Sequence, residues 1–159
     1  DYPGGPKVSK LAAGGDSARF NFPRALMKDR NLNFSFSGLK TAVLYALEDL
    51  EEKDYPDVAA SFQEAVVDVL IKKLAYAIEQ TGIKKLVCSG GVAANSLLRE
   101  RLTDMGKTSE LEVSYPKMEF CTDNAAMIAY AGFIRKKYNL KKYSTAYARP
   151  RWPLGELYD

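Results

Sequence analysis

The chain has 159 residues, of which 27% are charged and 47% hydrophobic, with 23 Lys and Arg against 20 Asp and Glu and no histidine. This is the composition of a globular domain able to bury a core, and it excludes a disordered or collagen-like chain. The absent histidine excludes Ser-His-Asp and Cys-His hydrolase machinery, His-ligated metal and imidazole acid–base chemistry carried by this chain alone.

Residues 1–36 are rich in Gly, Pro and aromatics and are expected to form ordered loop, with one or two helical turns at Val8, Leu11 and Ala12. In this segment Tyr2-Pro3-Gly4-Gly5-Pro6 is expected to be a rigid turn whose glycines admit close backbone approach. Phe20, Phe22, Phe34 and Phe36 are expected in the core, ahead of a base-stacking role. Ser37 is a candidate N-cap for a helix running to Glu52, with Leu39, Val43, Ala46, Leu47 and Leu50 on one side. Asp54-Tyr55-Pro56 interrupts it, and Pro56 suits the first turn of a second helix from Asp57 to Gln80. A wide stripe from Val58 through Phe62, Ala65 and Val69 to Ile78 marks its buried side, and Gly82 is a C-cap candidate.

The periodicity then changes. Residues 84–89 form a short apolar run expected to be a buried strand, bounded by Gly90-Gly91. A helix from Asn95 to Asp104 follows, with Gly106 ending it. Leu111 to Tyr115 alternates like a strand and stops at Pro116. Thr122 is a candidate cap for a last helix through Tyr138, with Met127, Ile128, Ala131 and Ile134 facing inward. The order α-α-β-α-β-α implies an α/β fold with two parallel strands covered by helices. Two strands make a thin sheet, so further strands are expected from elsewhere. The whole of 1–159 is expected to be one partial domain. It comprises a loop-rich segment (1–36), two helices (37–81), a β-α-β-α unit (84–139) and a basic tail (140–159).

Charge is unevenly spread. Residues 1–30 carry six basic and three acidic side chains, 31–134 ten and fifteen, and 135–159 seven and two. Basic ends suit either a polyanion surface or a solvated face. Cys88 and Cys121 have no CxxC spacing and are expected as reduced thiols of a cytoplasmic protein. No stretch approaches the roughly 20 apolar residues of a membrane span.

Five places could carry chemistry: the Tyr2–Pro6 turn, the capped helix start Phe34–Lys40 with its one cation, and three more. At Gly90-Gly91 a strand bends into a helix start, and the glycines either let a ligand approach the backbone and the free N–H groups closely or make a tight strand–helix connection. Asn95 is there either a sugar- or base-reading amide or a helix N-cap. At Phe120-Cys121-Thr122-Asp123-Asn124, after the second strand, Asp123 is either a metal ligand or a carboxylate favoured by the helix dipole; carboxyl ends of parallel strands are where open α/β folds bind ligands. In Arg149-Pro150-Arg151-Trp152, an arginine–tryptophan group is either a phosphate-and-base clamp or a packed tail.

Taken together, YPGGP, the Arg19 to Arg24 segment RFNFPR, FSFSGLKT, SFQEAVVD, GGVAAN, CTDNAAMIAYAG and RPRWPL closely resemble the TsaD family in its bacterial wording. These are tRNA adenosine threonylcarbamoyltransferases, once described as sialoglycoprotein endopeptidases. The resemblance covers essentially the whole chain and only the C-terminal half of such a protein. It implies the later part of the second lobe of an actin-like, Hsp70-like ATPase (ribonuclease H-like) fold. It also implies transfer of threonylcarbamoyl from threonylcarbamoyl-AMP to N6 of adenosine 37 in tRNAs reading codons that begin with A.

By resemblance, Asn95 and Gly5 contact the adenylate, with Gly90 and Gly91 beside them, and Asp123 ligates a divalent metal, iron or alternatively zinc. The family's other ligands are the histidines of an HxxGH motif in the N-terminal lobe, and this chain has none, so the fragment alone is expected to be inactive. TsaB-like and TsaE-like proteins and tRNA are the implied partners. Arg149, Arg151 and the segment Arg135 to Lys142 are candidates for tRNA contact. A non-catalytic nucleotide- or partner-binding module and an actin-like small-molecule kinase stay as alternatives. A protease is disfavoured because no Ser or Cys has a histidine base.

Overall fold

The computed structural model describes residues 3–140 together with Pro150, Arg151 and Pro153. The chain divides into two units, Asp1–Cys121 and Thr122–Asp159, the division falling inside the segment 84–139.

The first unit opens with α1 (Gly4–Ala12), which contains the helical turns expected at Val8, Leu11 and Ala12 and extends them back through the segment expected to be a rigid turn. Pro3 takes the N-cap position in extended conformation, and Gly4, Gly5 and Pro6 form the first turn. A helix tolerates this because first-turn N–H groups have no intrahelical partner, so Pro6 forfeits nothing there. α1 lies on the long helix through Ala12 against Ala59 and Ala60, with Val8 beside them. Small side chains on both partners let the two backbones come close.

α2 (Ser37–Glu48) starts one residue earlier than a Ser37 cap requires, with Phe36 at the N-cap, and ends four residues before Glu52. A 3₁₀ turn, Glu52–Asp54, intervenes, its start closed by reciprocal Glu51 and Asp54 side-chain bonds. α3 (Tyr55–Thr81) follows with Pro56 in its first turn, and Gly82 ends it at φ 68° with its N–H on the Ile78 carbonyl. Its 27 residues extend about 40 Å, and it serves as the spine of the unit. Phe22, Leu39, Val58 and Ala65 form one core cluster with α2. Val67, Leu98 and Leu102 form another, under the strands.

Three of the four phenylalanines behave as expected: Phe22 is buried, and Phe20 and Phe36 pack on its cluster. Phe34 is 52% exposed and stacks on Phe36 instead.

β1 (Lys85–Val87) and β2 (Glu112–Ser114) are parallel, with Leu86 opposite Val113. The expected buried strand is only half covered. Leu86 and Val113 face the α3–α4 cluster, whereas Val87 is 74% exposed. Alternation sends adjacent side chains to opposite faces, so one packed face leaves the other open.

The connecting helix α4 (Ser96–Ser109) passes through Gly106 rather than stopping at it, and ends at Glu110, φ 51°. Gly106 answers to packing: a Cβ there would stand 3.0 Å from the Leu111 carbonyl oxygen and 3.2 Å from Val113 Cγ2. The glycine lets the returning chain cross the helix.

In the second unit, α5 (Ala125–Lys137) is capped by Asn124 rather than Thr122. Its expected core side is not buried within the described residues: Ile128 is 67% exposed and Met127 is also exposed. Among the described residues, no helix is long and apolar enough to cross a membrane.

Candidate functional site

The loop from β1 into α4 turns at Gly90, whose φ of 89° and ψ of 175° lie outside what a side chain readily allows. The chain then makes a 3₁₀ turn, Gly91–Ala94, before α4 starts. The Ala93 N–H donates to the Gly90 carbonyl and the Asn95 N–H to that of Val92, each at 3.0 Å. Ala93 is buried, while Gly90, Gly91 and Val92 are exposed. Nothing lies within 4 Å of a Cβ placed on Gly90 or Gly91. The glycines thus leave an open backbone edge at the carboxyl end of a parallel strand, the position where α/β folds take ligands.

Asn95 is the α4 N-cap: its Oδ1 accepts from Leu98 N at 2.9 Å. Its Nδ2 donates to Gln63 Oε1 at 2.8 Å. The two bonds fix which end of the amide is which, so its orientation is set by a partner 32 residues away on α3. An amide has two N–H donors and two oxygen lone pairs. Each end of Asn95 therefore keeps one hydrogen-bonding direction beyond those used. Capping and ligand contact are compatible on this side chain.

Arg99, one turn into α4, was not singled out by any local motif. Its Nε donates to the Ala93 carbonyl at 2.6 Å, and its Nη2 to the Pro116 carbonyl at 3.0 Å and to Cys121 Sγ at 3.1 Å. The guanidinium lies 4.8 Å from the centre of the Tyr115 ring. Tyr115 in turn donates its hydroxyl to the Arg99 carbonyl at 3.2 Å. One side chain thereby joins the loop after β1 to the loop after β2. Its partners lie 6 to 22 residues away, beyond the reach of a spacing rule except as an arginine following an N-cap.

Both thiols are free. Burial pushes the Cys88 thiol above its ordinary value, against a smaller opposing pull from Arg99, so it is protonated at neutral pH and a poor nucleophile.

Gly5 lies in the exposed first turn of α1, with nothing within 4 Å of a Cβ. It belongs to the same unit as Gly90, Gly91 and Asn95. α3 is the shared support: Ala59 and Ala60 hold α1, and Gln63, one turn on, holds Asn95. Asp123 belongs to the second unit. It is exposed and directly precedes Asn124, whose Oδ1 accepts from Met127 N and whose Nδ2 donates to the Thr122 carbonyl, both at 2.9 Å.

Among the described residues no group of three or more His, Cys, Asp and Glu is placed to hold a metal ion. Asp123 therefore offers one carboxylate and not a coordination site, since oxygen-ligated divalent ions take six or more ligands and zinc four. Arg151 is exposed. Arg149, Trp152, Lys141 and Lys142 lie outside the described residues.

The family model described as TsaD, tRNA N6-adenosine threonylcarbamoyltransferase, matches residues 1–130.

Proposed function

The chain belongs to the TsaD family of tRNA N6-adenosine threonylcarbamoyltransferases, of actin-like, ribonuclease H-like fold, and on that premise we propose that it holds the adenosine end of threonylcarbamoyl-AMP. The observation that carries this reading is the open Gly90-Gly91 edge beside an amide whose orientation is already set by Leu98 and Gln63. The glycine backbone permits contact with ribose and phosphate that a Cβ would obstruct. The spare donor and acceptor of Asn95 fit a ribose hydroxyl or an adenine edge. Gly5 would present a second bare backbone surface.

In the proposed reaction the N6 amine of adenosine 37 in tRNA attacks the threonylcarbamoyl carbonyl. A C–N bond forms, the C–O bond to the phosphate breaks, AMP leaves, and the amine gives up one proton. What these residues contribute is placement: a donor group held in position converts an encounter into an oriented approach. Arg135, Lys136 and Lys137 close α5, and with Arg151 they suit contact with tRNA phosphates, a sequence-independent and salt-sensitive interaction. Asp123 is assigned as one ligand of a divalent metal, iron or zinc, whose other ligands come from outside the described residues. TsaB-like and TsaE-like partners and a cytoplasmic setting complete the proposal.

Two measurements test it. Calorimetry of the assembled enzyme with AMP should show binding that Asn95→Ala weakens several-fold; unchanged affinity would remove Asn95 from the site. The 159-residue chain incubated with threonylcarbamoyl-AMP and tRNA should form no threonylcarbamoyladenosine, because the family's histidine ligands are absent from its sequence. Product formed by the chain alone would sink the half-site reading.

A further inference from the structure

We propose that Arg99 is a positioning residue that sets the aperture of the nucleotide site by tying together the two loops at the carboxyl ends of β1 and β2. The inference rests on the reading of Gly90, Gly91 and Asn95 as that site. It adds a residue that touches no ligand and acts through the loops that do.

The geometry is specific to a guanidinium. Nε reaches the Ala93 carbonyl, inside the 3₁₀ turn that follows the glycines, while Nη2 reaches the Pro116 carbonyl and Cys121 Sγ in the other loop. The donors are held in one plane at a fixed separation, so the distance between the loops is set by a rigid body. Two features hold the fork itself. Its Cζ sits over the Tyr115 ring, 4.8 Å from the ring centre, and the Tyr115 hydroxyl bonds the Arg99 carbonyl.

A lysine has the charge and nearly the reach but no plane. Its ammonium satisfies one loop at a time or both loosely. The carbonyl of Ala93 belongs to a buried residue, and releasing it frees the turn that orients the Gly90-Gly91 edge. The cost should therefore fall on ligand affinity rather than on the chemical step.

The test uses the assembled enzyme with its metal and partner subunits, and AMP as the calorimetric probe. Arg99→Lys should weaken AMP at least ten-fold and raise KM for threonylcarbamoyl-AMP in parallel, with kcat within about threefold. Arg99→Ala should lose as much and recover part of its affinity with added methylguanidinium. A merely structural arginine would lower melting temperature and kcat without the KM-against-kcat split and without rescue. AMP affinity of Arg99→Lys within twofold of wild type overturns the proposal.

If neither variant folds, hydrogen exchange on the wild-type enzyme decides. AMP should protect the amides of 91–95 and 117–121 together, and protection confined to 91–95 overturns the coupling. Failure of the underlying site reading looks different: AMP then protects neither loop, and Asn95→Ala leaves its affinity unchanged.

Discussion

Gly15→Ala should be among the most damaging single-methyl additions in the first unit. A Cβ on Gly15 would stand 2.0 Å from the Pro56 carbonyl oxygen, 2.2 Å from its carbon and 2.7 Å from Asp57 N. All three are backbone atoms at the start of α3, which cannot rotate aside. Ordinary carbon contacts are about 3.5 Å, so the loop after α1 must retreat by roughly 1.5 Å. That retreat breaks the 2.7 Å bond from Asp16 N to Asp57 Oδ1. It also stretches the two 3.2 Å bonds of Ser61 Oγ, to the Asp16 carbonyl and from Phe20 N, beyond bonding range. Ser61 is buried, so its hydroxyl would lose partners without gaining water.

Overpacking costs about 1–3 kcal/mol, and three lost hydrogen bonds add about 1 kcal/mol each, for a sum of about 4–6 kcal/mol. With a urea slope of about 2 kcal/mol/M the midpoint should fall by about 2–3 M. Urea titration followed by far-UV circular dichroism reads this directly. Gly14→Ala is the control, since no atom lies within 4 Å of its Cβ, and it should shift the midpoint little. A Gly15→Ala midpoint within about 0.5 M of wild type would refute the close-approach argument.

Three further outcomes are expected. Asn95→Ala should cost about 1–2 kcal/mol in chemical denaturation through loss of the α4 cap, whereas Asn95→Asp keeps the acceptor for Leu98 N and should recover most of it; equal losses would show that the cap is not what the side chain contributes. Lys73 is 1% exposed and donates to the Asp29 and Asn31 carbonyls at 2.9 and 2.7 Å, so Lys73→Met should preserve the packed stem while speeding exchange or proteolysis around residues 29–31; unaltered protection there would count against the latch. Hydrogen bonding to Arg19 holds the Asp54 and Asp57 carboxyls below their ordinary value near 3.8. A lowered folded-state value means the stabilisation is complete above about 3.8 and is lost as pH falls through the lower folded-state values. Arg19→Gln should therefore flatten the acid limb of the stability curve, and an unchanged limb would discount the triad.

Features governed by neighbours within a turn were legible. The α3 stripe, Pro56 in its first turn and the Gly82 cap follow from 3.6-residue periodicity and from glycine's tolerance of positive φ. The β-α-β order and the Gly90-Gly91 bend were legible for the same reason. The first turn of α1 was harder, because Pro3-Gly4-Gly5-Pro6 has the composition of a turn, whereas the helical turns at Val8 to Ala12, which packs on Ala59 and Ala60, were legible. Gly106 has the composition of a helix terminator, but its requirement comes from Leu111 and Val113 crossing the helix, which local spacing does not show.

The candidate site divides along the same line. That an open glycine pair should follow a parallel strand and precede an asparagine at a helix start was determined by the sequence, since each is a local conformational demand. That Asn95 is oriented by Gln63, that Arg99 joins two loops, and that Gly15 and Lys73 bind the early segment to α3 was decided only by the tertiary structure. These contacts span as many as 44 residues along the chain. Backbone propensity acts over three or four residues, and only the packing of α1, α3 and α4 brings such distant groups within bonding distance.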